Sequence, residues 1–588
     1  MILARTRRWP VLGIVLSLVA LVSLPRAAVH ATGGSALSLD SVRLALIGGE
    51  AEYSAVPPAL SVADVAPNDL VPGSATVRFA PGTAAGVAAT LVRSVGAEVR
   101  LALPEINTYE VSLLPGQALE DGIDSLAALP GAVRVEPVTR VRTAFHPDDP
   151  LYGPDQTYLA LIHAEQAWDI QQGDPRIVVA VVDSGVDQTH PDLQGQMWTN
   201  PSPGSSGCGN DLHGCNFMDP HFVDPSCANQ DPAPAPNPDV RPFDEHGTFV
   251  AGVIGASTNN GIGIAGIVPH ASIMPVKVVD CTGGIASEAA AGVLYAARNG
   301  AKVINLSFGA ADCKRGSSVL ADAIAQVERL GVVVVAAAGN EDMNCVDSPA
   351  NVSGVIAVGA VGPPTATSRA VWGADAGSNW GPEIAVVAPG TSIVGTVPYT
   401  GETPPDDYYD EGDGTSFSAP MVSGVAALLL SQNALLTPSL VRSLIQKGAI
   451  RLSDGSEPGW AGAGRIDLAR SLQLVPAGFY GKVTFGGAAP PNGTRIEARI
   501  NGKVCGQGVT TTVRGQPAYA VFVAPDADIP GCGTPGATVT FSVGGAAIAT
   551  GTWRAAAMAL DLSGAVTAQA AGHKVTYHAG WDLVAGPG

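Results

Sequence analysis

Four polar residues in this chain stand where apolar runs stop. Asp183 closes a β-branched run over 176–183, and Asn340 follows another over 332–338 in Ala338-Gly339-Asn340. His246 lies in Asp244-Glu245-His246-Gly247-Thr248, a glycine-marked entry into a small-residue stretch. Ser416 sits in Gly414-Thr415-Ser416-Phe417-Ser418-Ala419-Pro420, directly ahead of an apolar segment that reads as a buried helix. Each residue alone has a local explanation: a cap, a turn, a satisfied core imidazole. Together they form the set that acyl transfer needs: a nucleophile, a base, a carboxylate to hold the base and an amide to donate to an oxyanion. A serine where a helix starts also faces unpaired backbone N–H groups and the positive end of the helix dipole. Pro420 reads as a first-turn residue, where its missing N–H does no harm.

These residues have to be positioned by a sheet. Continuous apolar runs over 176–183, 273–279, 303–306, 332–338, 355–358 and 384–388 read as strands covered on both faces. Helical stretches over 287–299 and 317–330 fall between them, so the expected fold class is α/β, a three-layer αβα arrangement with a mostly parallel sheet. In such sheets chemistry sits at the carboxyl ends of the strands. Residues 200–243 are too polar for core and read as a disulfide-tied surface insertion.

Around this unit the chain divides further. Residues 1–31 carry Arg5, Arg7 and Arg8, an apolar run and a small-residue site, the layout of a signal peptide. Residues 32–69 read as a linker. Residues 70–142 give a β-α-β-β-α-β order, with strands at 75–80, 98–101, 108–113 and 133–137 and helices at 84–95 and 119–129, a ferredoxin-like α+β pattern. Residues 143–474 hold the α/β unit, and 475–588 read as a small β-sandwich with strands at 479–485, 495–500, 518–523, 538–543 and 559–562.

A net charge of -20 argues against nucleic acid as a partner and suits oxygen-ligand cations. Beyond the leader no stretch has eighteen uninterrupted apolar residues, so no membrane association is expected, and the protein is read as secreted and monomeric. Eight cysteines in an exported chain read as disulfides. Closeness in sequence pairs Cys208 with Cys215, Cys313 with Cys345 and Cys505 with Cys532, which leaves Cys227 with Cys281.

The blocks Val182-Asp183-Ser184-Gly185, His246-Gly247-Thr248 and Gly414-Thr415-Ser416-Phe417-Ser418-Ala419-Pro420, in the order Asp…His…Ser, resemble those of the subtilisin-like serine proteases, with the thermitase- and proteinase-K-like secreted enzymes nearest. The resemblance spans about 148–472 and implies that Ser416 is the nucleophile, His246 the general base and acid, and Asp183 the orienting carboxylate. It further implies an oxyanion hole made by the Asn340 amide and the Ser416 backbone N–H. Phe417-Ser418-Ala419 departs from the commonest Met-Ala-Ser, at positions that shape walls. Ser307, Phe308 and Gly309 resemble the S1 wall, and Gly283, Gly284 and Ile285 the edge strand that pairs with substrate. A structural calcium ion (Ca2+) is implied as cofactor, held by Asp149, Asp192 and Asn260 with the carbonyls of Ser257, Ile262 and Ile264. Asp347 falls near the position that lines the floor of S1. There it would favour lysine or arginine at P1, whereas as a solvent-facing turn residue it would leave a preference for large apolar side chains. The unit at 70–142 resembles a subtilase propeptide, an intramolecular inhibitor cut off between about 141 and 146. Protein or peptide substrates follow. A silent scaffold that only binds, or a narrow processing protease, are the competing readings.

Overall fold

The computed structural model describes residue 62 and residues 70–564, apart from 115, 140–144, 222, 228–234, 311–315, 363–366, 399–407 and 454–458. The segment read as a signal peptide therefore lies outside the described residues. So do most of the linker and most of the expected cleavage region.

The first unit runs β1 (Leu70–Phe79), a helix (Ala85–Ser94), β2 (Glu98–Leu103), β3 (Thr108–Ser112), a helix (Leu119–Ala127) and β4 (Ala132–Thr139). Its sheet order is β2-β3-β1-β4 with every pairing antiparallel, the ferredoxin-like arrangement. Its core is its own: Val77, Phe79, Val92, Val111 and Leu126 are fully buried among one another.

The α/β unit is built on seven strands: β5 (Val178–Asp183), β6 (Cys215–Asn216), β7 (Ile273–Lys277), β8 (Ala301–Leu306), β9 (Val333–Ala337), β10 (Ile356–Val361) and, after a small hairpin of β11 (Val371–Gly373) with β12 (Ala376–Gly377), β13 (Ile384–Pro389). Their order is β13-β10-β9-β8-β5-β7-β6, and every pairing is parallel. Residues of β5, β7, β9, β10 and β13 are buried throughout, as strands sandwiched between helical layers must be. The chain first extends the sheet to one side of β5 and then to the other, so a topological switch lies between β5 and β8. Crevices in open α/β sheets form at such a switch.

The Thr415–Gln432 helix packs against β8, β9 and β10 with fourteen of its residues buried. It begins one residue before Ser416, not behind it, so Pro420 falls in the second turn rather than the first. A proline there cannot bond to the carbonyl four residues back, that of Ser416. The Ser307 hydroxyl supplies the missing donor, 2.7 Å from that carbonyl.

The C-terminal region is strand-rich as expected, with eight strands between Ala477 and Gly564. Seven of them form one continuous path rather than two separate sheets, and the eighth, Leu562–Gly564, pairs off this path with Ala477–Phe485. The path folds back on itself, so Phe479 of the strand Ala477–Phe485 meets Phe541 of Thr538–Val543, four strands away, at a ring distance of 4.9 Å. The strand Lys503–Val513 has no counterpart in the sequence reading, because Gly506 and Gly508 interrupt its pattern. Both glycines sit where a Cβ would strike the neighbouring strand, 2.2 Å from the Phe522 carbonyl and 2.3 Å from that of Ala520.

Disulfides join Cys208–Cys215, Cys227–Cys281 and Cys505–Cys532. Cys345 is also disulfide-bonded, while residue 313 lies outside the described residues.

Candidate active site

Asp183, Ser307 and Asn340 leave the carboxyl ends of three adjacent strands, β5, β8 and β9. His246 starts the His246–Gly255 helix, and Ser416 is the second residue of the Thr415–Gln432 helix. Five distant segments thus converge on one end of the sheet.

The fully buried Asp183 carboxylate lies 2.8 Å from His246 Nδ1 and accepts the Ser184 N–H at 2.8 Å. This contact depends on two loops touching backbone to backbone. A Cβ at Gly247 would lie 2.1 Å from the Gly185 carbonyl, and Gly185, at φ +104°, has no room beside Val240 and Arg241. Asp244 fixes the entry to the helix. Its carboxylate accepts the His246 N–H at 3.0 Å and the Ser184 hydroxyl at 2.5 Å. Removal from water opposes charge on the imidazole, yet Asp183, and then Asp244 and Glu245, outweigh it and hold His246 above the ordinary imidazole range. With 31% of its side-chain surface exposed, the ring remains open to a substrate. Phe417 flanks it at 5.8 Å and stacks on Phe249 at 4.1 Å.

The Asn340 amide is held by its oxygen. Thr415 donates to Oδ1 from both its backbone N–H and its hydroxyl, each at 2.9 Å. That leaves Nδ2 as a donor without a partner among the described residues, beside the Gly414-Thr415-Ser416 turn. The Ser416 hydroxyl donates to the Ser307 carbonyl at 3.0 Å, and among the described residues no hydrogen bond joins it to His246. Behind it runs a buried relay. Ser423 donates to Asn305 at 2.8 Å, Asn305 to Ser307 at 2.9 Å, and Ser307 to the Ser416 carbonyl. Sequence reasoning missed Thr415, Asn305 and Ser423. The position of Thr415 next to Ser416 was the one available signal.

Among the remaining expected site residues, Ser307 is buried, Phe308 half-buried and Gly309 exposed. Gly283 and Gly284 are exposed at an isolated antiparallel bridge, Val279–Gly284, with Ile285 behind them. Asp347 does not face solvent. It is 2% exposed, and its carboxyl hydrogen-bonds to Glu341.

Asp149, Asp192 and Asn260 come together as well. Asn260 Nδ2 lies 2.8 Å from Asp192 Oδ1, and the N–H groups of Asn259 and Ile264 donate to Asp149 and Asp192. Asp149 Oδ1 is buried without a partner. Burial, opposed by its hydrogen bonds and reinforced by Asp149, pushes the Asp192 carboxyl up to about 7. Gly263 makes room at this corner for the Tyr409 hydroxyl, which donates to Asp192 Oδ2 at 3.2 Å; a Cβ at Gly263 would strike both groups. Ser257 donates its N–H to the Asp192 carbonyl, Ile262 bonds through its N–H to Asn260, and Ile264 is fully buried. Among the described residues no group of three or more His, Cys, Asp or Glu could hold a metal ion. This set has two carboxylates, and its other ligands would be an amide and backbone carbonyls.

The Subtilase family profile matches residues 174–466. A thermophilic serine proteinase of Bacillus sp. (strain AK1) is 35% identical over 370 residues, covering 62% of this chain and 79% of that protein. Thermitase of Thermoactinomyces vulgaris is 35% identical over 330 residues, covering 56% of this chain and 100% of thermitase. An extracellular basic protease of Dichelobacter nodosus is 30% identical over 426 residues, covering 66% of this chain and 65% of its own length. Among solved structures, a protease of Pseudoalteromonas arctica PAMC 21717 covers 55% of this chain and 98% of its own, at 29% identity and a TM-score of 0.46. With the parallel sheet and the converging Asp183, His246, Asn340 and Ser416, the family profile and the likeness to the Bacillus proteinase and to thermitase make the chain a member of the subtilase family, a serine endopeptidase.

Proposed function

We propose that the protein is a secreted endopeptidase, made as a pre-pro-enzyme, that cleaves peptide bonds through an acyl-enzyme on Ser416. The observation that carries this reading is the 2.8 Å Asp183–His246 contact, set beside a serine whose neighbouring Asn340 amide is oriented by its oxygen alone.

The Ser416 hydroxyl turns from the Ser307 carbonyl to His246, which takes its proton as Oγ attacks the scissile carbonyl carbon. The carbonyl oxygen becomes an oxyanion and accepts from Asn340 Nδ2 and the Ser416 N–H, one of the first helical N–H groups with no partner inside its helix. Collapse breaks the C–N bond, and His246 gives its proton to the leaving amine. Water then attacks the ester by the same route and restores Ser416. Asp183 holds the imidazole in one tautomer and stabilises its charged form.

Asp149, Asp192 and Asn260, with carbonyls of the 257–264 segment, suit a calcium ion. An unpartnered buried carboxylate oxygen beside a second buried carboxylate calls for a hard cation. Calcium would stabilise this corner and take no part in the chemistry. The unit at 70–142 acts as propeptide and inhibitor, and residues 1–31 as the export signal. An extracellular relative supports export.

A fluorophosphonate probe should label the mature protein at Ser416, and Ser416→Ala should accumulate as a precursor still carrying residues 70–142. An unlabelled wild type, or a Ser416→Ala protein processed at the same place without added protease, would overturn the reading.

A further inference from the structure

Asn305 and Ser423 are polar, fully buried and without a part in the chemistry above. Their neighbours in β8 are apolar. Val303 packs into the core that the Thr415–Gln432 helix closes, while Ile304 and Leu306 pack into the core on the other side of the sheet. The two-residue period of a strand therefore turns Asn305 towards that helix, where Ser423 meets it at 2.8 Å. Stability alone does not account for the pair, since two buried hydrogen-bonded groups can be replaced by apolar groups of the same shape at almost no cost.

The direction of every bond in this relay follows from one end. The Ser416 carbonyl can only accept, and Pro420 has no N–H to offer it. The Ser307 hydroxyl, 2.7 Å away, must therefore donate its proton there. With that proton committed, the Ser307 oxygen accepts, which turns Asn305 Nδ2 towards it at 2.9 Å. Asn305 Oδ1 then faces Ser423, whose hydroxyl donates. Each donor thus points along the relay at Ser416. Ser307 grips the same residue a second time, because its own carbonyl accepts the Ser416 hydroxyl at 3.0 Å. Only one of these grips can last through the reaction. The hydroxyl has to leave the Ser307 carbonyl, whereas the bond to the Ser416 carbonyl can stay.

We propose that Asn305 and Ser423 are positioning residues for the nucleophile: through Ser307 they hold the Ser416 backbone while its hydroxyl changes partner from the Ser307 carbonyl to His246. This rests on the proposed function, in which Ser416 is the attacking group. Without Asn305 and Ser423 the Ser307 hydroxyl can rotate away, and the Ser416 carbonyl loses the donor that Pro420 cannot supply. Neither residue reaches the surface where a substrate binds, so their loss should fall on kcat and leave KM unchanged.

Asn305→Asp keeps the shape and makes the polarity of the relay titratable. A protonated carboxyl donates to Ser307 and accepts from Ser423, as the amide does. An ionised one only accepts, so it draws the Ser307 proton to itself and leaves the Ser416 carbonyl without a donor. The Thr415–Gln432 helix and β9 bring no titratable group to this face, and β5 brings Asp183, with His246 beside it. The ratio of variant to wild-type kcat should fall about tenfold as pH rises. It should stay low on the alkaline side, where a displaced His246 limb alone would let it recover. Ser423→Ala should lower kcat about fivefold. Asn305→Leu with Ser423→Ala, which fills the space with apolar volume, should melt within a few degrees of the wild type yet keep kcat about tenfold down. Rates are taken per Ser416 labelled at completion by the fluorophosphonate probe, so a partly folded preparation does not imitate the loss. Should Asn305→Asp not fold, Ser423→Ala decides alone. A ratio flat with pH, Ser423→Ala at the wild-type kcat, or a loss confined to KM overturns the positioning role while leaving the endopeptidase intact. A wild type that is neither labelled nor able to cleave peptides overturns the proposed function and this inference with it.

Discussion

Two corners of the α/β unit bury carboxylates and neutralise them differently. At the end of β5, Asp183 has an imidazole from its own chain 2.8 Å away, so the charge is answered within the protein. At the 149–264 corner, Asp149 and Asp192 have amides and N–H groups for company but answer each other with like charge. The first arrangement has its counter-group within the chain, although Asp183 Oδ2, like Asp149 Oδ1, is buried without a hydrogen-bond partner among the described residues. The second would gain its counter-charge from the calcium ion proposed above. On the proposed function, buried charge at the first corner serves reactivity and at the second serves stability.

This contrast fails if the two properties do not separate. The largest effect should come from Asp183→Asn, which leaves the geometry in place but favours the wrong imidazole tautomer. kcat should fall about 10⁴-fold while the melting temperature moves by only a few degrees. The imidazole must be neutral to accept the Ser416 proton, so activity should rise as pH climbs through the pKa of His246. In the wild type that limb should lie above the ordinary imidazole value, and in Asp183→Asn it should move to lower pH. A pH profile of kcat/KM that does not move would show that Asp183 does not set the charge on His246.

Next in size is removal of calcium. A site held at about a thousand times its Kd contributes about 4 kcal/mol, so chelation should lower the melting temperature by about ten degrees. Initial rates at 25 °C should change little. Asp149→Asn with Asp192→Asn should abolish the response to chelator. A calcium-insensitive wild type, with no metal found on analysis, would remove the second half of the contrast.

The smallest effect should come from Thr415→Val. It removes one of the two hydrogen bonds that orient Asn340 but keeps the backbone one. A loss of about 1 kcal/mol, or about fivefold in kcat with KM unchanged, is expected. A change in KM alone would place Thr415 in binding rather than in orienting the amide.

Much of this site could be read from the sequence because its residues interrupt strong patterns. Asp183 and Asn340 end apolar runs, and glycines mark the turns at His246 and Ser416. The parallel sheet followed from the same runs. What stayed hidden depends on contacts between segments far apart in the chain. Glu341 looks like any exposed loop acid until Asp347 and Asn379 are beside it. The Ser307 hydroxyl looks like part of a wall until Pro420 is found one turn deeper in its helix, with the Ser416 carbonyl left to satisfy. The C-terminal strands were largely visible, but one ladder rolled over its own core cannot be told by periodicity from two sheets face to face.

The order of strands in the parallel sheet also bears on how the chain reaches this state. Strand β5 is made first, yet its partners are Ile273 and Val303, opposite Val179 in β7 and β8, so it must wait for roughly a hundred further residues before either side can be covered. The unit at Leu70–Thr139 closes all of its own pairings before β5 has emerged. Loop closure over such distances is costly until the last contacts form, so the search should be slow and should expose bare β-branched strand edges throughout. On the proposed reading of residues 70–142 as a propeptide, a body that can fold from its own contacts would precede strands that still lack neighbours.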